Sequence, residues 1–113
     1  MDKIAERVVK MFGAVLKRIR DAVRENRYVV TAHARKEMNE DALNVFDVES
    51  GILSGEILER QKDRITAEWK YRIRGETIDA TSQIEVVVKI SPTGKVIVIT
   101  VYVPNNEGNA NEM

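Results

Sequence analysis

Apolar residues at Ile4, Val8, Met11, Phe12, Val15, Ile19 and Val23 recur at steps of three and four, the spacing that lays side chains along one stripe of an α-helix. One long helix is therefore expected from residue 3 to about 25. At 1.5 Å per residue it would be on the order of 30 Å long, as wide as a small domain. Part of it is expected to project or to pair with another chain. Its opposite face carries Lys3, Arg7, Lys10, Lys17, Arg18 and Arg24, with Glu6/Lys10 and Lys17/Asp21 at the four-residue spacing that supports a helix.

Asn26 and Arg27 break this period, and Tyr28, Val29 and Val30 read as a short strand. Thr31 is placed to cap a helix through about residue 40, and Asp47 to cap another that stops at Gly55. Beyond Gly55 the period changes to two. Residues 56–61 form a strand. From Ala67 onward Trp69, Tyr71 and Ile73 alternate with Glu68, Lys70, Arg72 and Arg74, a half-buried strand with one charged face. Residues 83–90 and 95–103 make the strongest strand pair, joined by Ser91-Pro92-Thr93-Gly94 with proline and glycine where a tight turn and a left-handed residue want them. A regular register from that turn pairs Ser91 with Lys95, Val88 with Val98 and Val86 with Thr100. It would set Thr100 and Tyr102 on the face of Ile84, Val86 and Val88. The order of elements indicates an α+β domain with its N-terminal helices on one face of a twisted antiparallel sheet. The divisions expected are a basic amphipathic helix over 1–26, an α+β domain over 27–104 and a disordered polar tail over 105–113.

Composition narrows the chemistry. The 113 residues carry 18 Lys+Arg against 18 Asp+Glu, a net charge of zero, yet residues 1–36 hold ten positive and four negative side chains and the remainder eight and fourteen. One basic surface is expected, rather than a coat for nucleic acid at large. Without cysteine, disulfides, thiolate nucleophiles and Cys-ligated metals are excluded, and a single histidine makes a protein-built metal site a poor expectation. No cofactor motif is present: neither a phosphate-cradling glycine loop nor a nucleophile elbow occurs. No window reaches the roughly 20 apolar residues of a membrane span, so a cytoplasmic protein is expected.

Three groups remain for chemistry. His33, the second residue of the helix capped by Thr31, sits where backbone N–H groups disfavour the imidazolium. It reads either as a proton-transfer group or as a histidine hydrogen-bonded to a neighbouring strand. Lys70, Arg72 and Arg74 stand on one strand face at about 6 to 7 Å intervals, which suits successive phosphates, or equally a solvated face of cross-strand ion pairs. Thr100 and Tyr102 end the last strand, where the phenol reads as a proton donor, a stacking ring or a rim residue. Trp69 and Tyr71 read as core.

Taken together, Tyr28-Val-Val-Thr-Ala-His33-Ala-Arg35-Lys-Glu-Met38, Tyr71-Arg-Ile-Arg74-Gly75, and Ile84-Glu-Val-Val-Val88 followed by Val98-Ile-Thr100-Val-Tyr102 resemble a family of small bacterial proteins. That family is similar to the RelE and MqsR toxins and is often encoded beside a zinc-finger antitoxin. The resemblance covers about residues 20–103. It implies a RelE-like fold whose open sheet face holds RNA, and metal-free ribonuclease chemistry in which the RNA's own 2′-hydroxyl attacks the adjacent phosphate. By motif, His33 would be base or acid, Arg72 or Arg74 would stabilise the phosphorane charge, Tyr102 with Thr100 would be the terminal-strand polar group, and Lys70 and Arg35 would contact RNA. The partners implied are an antitoxin and RNA. The alternative is a non-catalytic protein-binding or dimerisation module that uses the N-terminal helix to pair with itself or with another protein.

Overall fold

The computed structural model describes the backbone of residues 3–104 and the side chains of residues 12–104. Its elements are α1 (Lys3–Arg24), β1 (Tyr28–Val30), α2 (Ala32–Glu40), α3 (Val45–Ser54), β2 (Glu56–Lys62), β3 (Trp69–Glu76), β4 (Gln83–Ile90) and β5 (Val96–Tyr102). The fold is α+β. Among the described residues three helices pack against a five-stranded sheet of order β1-β5-β4-β3-β2. The expected tail over 105–113, and the side chains of the helical stripe before Phe12, lie outside what is described.

Strands β2 to β5 form the antiparallel meander that the period-two pattern predicts. The sheet is nonetheless mixed, because β1 adds in parallel to β5, with Tyr28 beside Val96 and Val30 beside Val98. A three-residue strand buries too little to stand alone, and β5 offers it the free edge at the end of the meander.

One sheet face holds the core. Tyr71, Ile73, Ile84, Val86, Val88, Val96, Val98 and Val101 meet Phe12, Ile19, Ala22 and Val23 of α1, Ala34 and Met38 of α2, and Val48 and Ile52 of α3. Each valine, isoleucine, methionine or phenylalanine among them contributes roughly 1.5 to 3 kcal/mol when fully buried. Phe12 meets the Tyr71 ring edge-on at 6.4 Å between centroids. Trp69 departs from the core reading: it lies two residues nearer the hairpin tip and is 39% exposed.

Thr31 caps α2 as expected, its hydroxyl accepting from Ala34 N at 3.1 Å. Helix α3 begins earlier than Asp47 suggested. Asn44 is the cap, and Asp47 is the third helical residue of a reciprocal capping box, accepting from Asn44 N at 3.0 Å. The other Asp47 oxygen accepts from Ile78 N at 3.1 Å and ties α3 to the β3–β4 turn. Arg20 of α1 donates to Gly55 O at 2.6 Å, satisfying a carbonyl at the C-terminal end of α3. Helix and sheet come unusually close at Gly75, where a Cβ would stand 2.1 Å from Gly51 O. Glycine is required there by space, not by backbone angle.

Candidate functional site

The sheet face away from the helices is built from the alternate residues. On β3 these are Lys70, Arg72 and Arg74; on β4, Glu85, Val87 and Lys89. On β5 the parity changes. Val88 opposes Val98 as the regular register predicts, but Val87 opposes Thr100, which leaves Ile99 without a partner: a β-bulge. The expected Val86–Thr100 pairing is therefore replaced by Val86–Val101, and Tyr102 stands opposite Glu85. A one-residue insertion moves every later side chain to the other face. Tyr102 is thereby carried from the core side to the open side, where Arg72 and Arg74 already stand.

The bulge forms where β5 loses its strand neighbour. The chain leaves β1 at Thr31, whose N–H donates to Val98 O at 3.1 Å and whose hydroxyl donates to Ile99 O at 3.4 Å. Past that point, helix α2 replaces the missing strand with side chains. Glu37 accepts from Val101 N at 3.0 Å and Asp41 accepts from Val103 N at 3.2 Å. Carboxylates four apart on a helix and N–H groups two apart on a strand recur at nearly the same distance, so the two ladders match.

The centre of the open face is Glu85, only 2% exposed. Its Oε1 accepts from Tyr102 Oη at 2.5 Å and from Arg72 Nη1 at 3.0 Å, and its Oε2 from Arg74 Nε at 2.7 Å. Arg72 donates a second bond, from Nε to Glu59 on β2 at 3.1 Å. Farther along, Lys89 pairs with Glu68 at 2.7 Å. Burial pushes the Glu85 carboxyl up, but the hydrogen bonds from Tyr102, Arg74 and Arg72 outweigh it and hold the group below the ordinary carboxylate range. Burial, reinforced by that carboxylate, pushes the Tyr102 phenol up. At neutral pH the cluster is thus an ionised carboxylate clasped by two guanidiniums and a neutral phenol. Arg74, 40% exposed, borders an open cleft of about 440 Å³.

The predicted residues divide into three places. Arg72, Arg74 and Tyr102 converge on one carboxylate. Thr100 faces the same side of β5 as Tyr102, half-buried. Lys70 lies on the same face opposite Gln61, with no ion pair among the described residues. His33 stands apart, exposed on α2, with Nε2 3.2 Å from Glu37 Oε2 rather than against a strand. It still borders the cluster's frame, since Glu37 holds the N–H of the residue before Tyr102. Arg35 lies on another side of α2, beside Tyr28, Val29, Val30 and Val45 at the β1 edge. There Tyr28 donates to Glu49, and burial together with that carboxylate pushes its phenol up to about 12. Among the described residues no three His, Cys, Asp or Glu side chains come together to hold a metal ion, and no helix is long and apolar enough to cross a membrane.

Glu85 is the residue that the site reading lacked. The signal was present: an acid inside the apolar run Ile84-Glu85-Val86-Val87-Val88, on the strand neighbouring Arg72 and Arg74.

Residues 30–103 match a family model described as a domain of unknown function, DUF4258. The chain belongs to that family. The DUF4258 segment begins at the end of β1 and closes just after Tyr102, so it encloses α2, α3 and the whole Glu85 cluster while leaving α1 outside. No curated protein and no solved structure matches the chain.

Proposed function

We propose that this DUF4258 protein is a metal-independent endoribonuclease of the toxin–antitoxin kind, similar to the RelE and MqsR toxins and working in the cytoplasm on the open face of its sheet. The observation that supports it is the β5 bulge, which brings Tyr102 to the face of Arg72 and Arg74 around a buried carboxylate. Cleavage by an internal hydroxyl needs a base, a cation for the phosphorane charge and an acid for the leaving oxygen. In this reading Glu85 takes the proton of the 2′-hydroxyl and the 2′-oxygen bonds to phosphorus. Arg74, with Arg72, meets the charge on the non-bridging oxygens. The bond to the 5′-oxygen breaks as that oxygen takes a proton from the Tyr102 phenol, which Glu85 then reprotonates. The products are a 2′,3′-cyclic phosphate and a 5′-hydroxyl.

With Arg72 and Arg74 already paired to Glu85 and Glu59, the resting face is electrically balanced, and RNA must draw the guanidiniums toward its phosphate. An antitoxin covering this face would block that exchange. Incubation with single-stranded RNA in EDTA tests the reading: cyclic-phosphate ends are expected, reduced at least a hundredfold in Glu85→Gln and Arg74→Ala. Absence of such ends from correctly folded protein would overturn it.

A further inference from the structure

The hairpin of β2 and β3 carries cations that the Glu85 cluster leaves unused. Arg60, Lys62, Arg64 and Lys70 form no ion pair among the described residues, while the acids of the same stretch are engaged. Glu59 holds Arg72, Glu68 holds Lys89, and Asp63 accepts from Ile65 N and Thr66 N in its own loop. Beside these cations stands Trp69, the chain's one tryptophan, 39% exposed. The Arg60 guanidinium lies 3.9 Å from the centre of its ring and Lys62 Nζ lies 5.6 Å away.

Cations held close together on one hairpin repel one another, with the Asp63 carboxylate near Lys70 offsetting part of that charge, unless a polyanion meets them. Arg60 and Lys62, two apart on an extended strand, are separated by about 6 to 7 Å, a spacing that suits consecutive phosphates. A guanidinium held 3.9 Å over an indole brings together a cation and an aromatic ring, the pair of groups on which a base stacks. A lipid surface would call for a broad apolar face, whereas this tip offers little beyond Ile65 and the edge of Trp69. The ligand that combines spaced phosphates with flat rings is a single-stranded nucleic acid.

We propose that the β2–β3 hairpin is a second RNA-binding surface, with phosphates on Arg60, Lys62 and Arg64 and a base against the Arg60–Trp69 stack. It rests on the reading of RNA as the substrate class; Arg60 and Lys62 oppose Tyr71 and Trp69 and so stand on the helix-side face, which the strand reaches from the Glu85 cluster by crossing the outer edge of β2.

The test uses a short 2′-O-methyl oligouridine, which lacks the attacking hydroxyl, so binding is read apart from cleavage. Quenching of Trp69 fluorescence is expected on addition. In the triple variant Arg60→Gln, Lys62→Gln, Arg64→Gln, the dependence of log affinity on log salt is expected to flatten by about 2, at roughly 0.7 per phosphate contact. Affinity at low salt should fall at least tenfold, with an unchanged circular dichroism spectrum. No quenching, an unchanged salt slope, or a response confined to phosphatidylglycerol vesicles would each overturn the proposal. Cleavage of unmodified RNA by a protein whose triple variant keeps full affinity refutes the hairpin alone. Quenching without cyclic-phosphate product supports the hairpin and refutes the cleavage reading.

Discussion

Tyr102 and Glu85 share a 2.5 Å hydrogen bond across β5 and β4 because Ile99 stands unpaired between their rung and the Val88–Val98 rung. The contact is a product of register and would be lost in a regular ladder. Tyr102→Phe removes the bond while keeping the ring. A hydrogen bond to a charged acceptor contributes about 2 kcal/mol, and a loss of that order in urea unfolding is expected. A loss under about 0.5 kcal/mol would mean that the phenol is only a rim residue.

Glu85 also fixes the acid response. Its folded pKa lies below the ordinary 4.5, so its stabilising effect is full above that value and is lost as pH falls through the lowered one. Glu85→Gln should therefore melt well below the wild type at pH 7, since Arg72 and Arg74 are left crowded without their shared anion. The gap should close as pH drops below about 4.5. A gap that is independent of pH would show that the carboxylate carries no net linkage.

Glu37 is expected to hold the end of β5 in place. Glu37→Ala should speed hydrogen exchange at the Val101 amide and cost about 1 kcal/mol, whereas Glu37→Gln keeps an acceptor oxygen and should restore most of the protection. Unchanged exchange at Val101 in the alanine variant would discard this role.

Two glycines separate space from conformation. Gly75→Ala drives a methyl group into the Gly51 carbonyl and should destabilise by more than about 2 kcal/mol. At Gly13, within α1, an added Cβ meets nothing within 4 Å, so Gly13→Ala should stabilise by about 0.5 to 1 kcal/mol. Thermal melts of the two variants should therefore move in opposite directions.

Periodicity made the elements legible. The switch from steps of three and four to steps of two at Gly55 is where helices give way to the meander, and the Pro92-Gly94 turn places Val88 opposite Val98. What periodicity could not show was the bulge at Ile99. In the run from Val96 to Tyr102 every residue suits a strand, so nothing local marks where one is left over. The cause lies 68 positions away, where Thr31 holds the Ile99 carbonyl. The same blind spot hid the union of the site, since Arg72, Arg74 and Tyr102 belong together only once Glu85 is seen beneath them. Asp47 illustrates a milder failure, because an acid at the third helical position mimics a cap. The cations of Arg72 and Arg74 were legible as a strip; their neutralisation by Glu59 and Glu85 depends on cross-strand pairing.

The parallel seating of β1 on β5 has a consequence for the order of synthesis. Strand β1 leaves the ribosome early and its partner comes last among the elements, so the sheet stays open at that edge until Val96 to Tyr102 have emerged. Meanwhile Ile19, Ala22 and Val23 of α1 lack the finished surface that buries them. A nascent chain halted before β5 would expose both an apolar helix face and an unfilled strand edge, the combination that chaperones engage and that aggregation exploits.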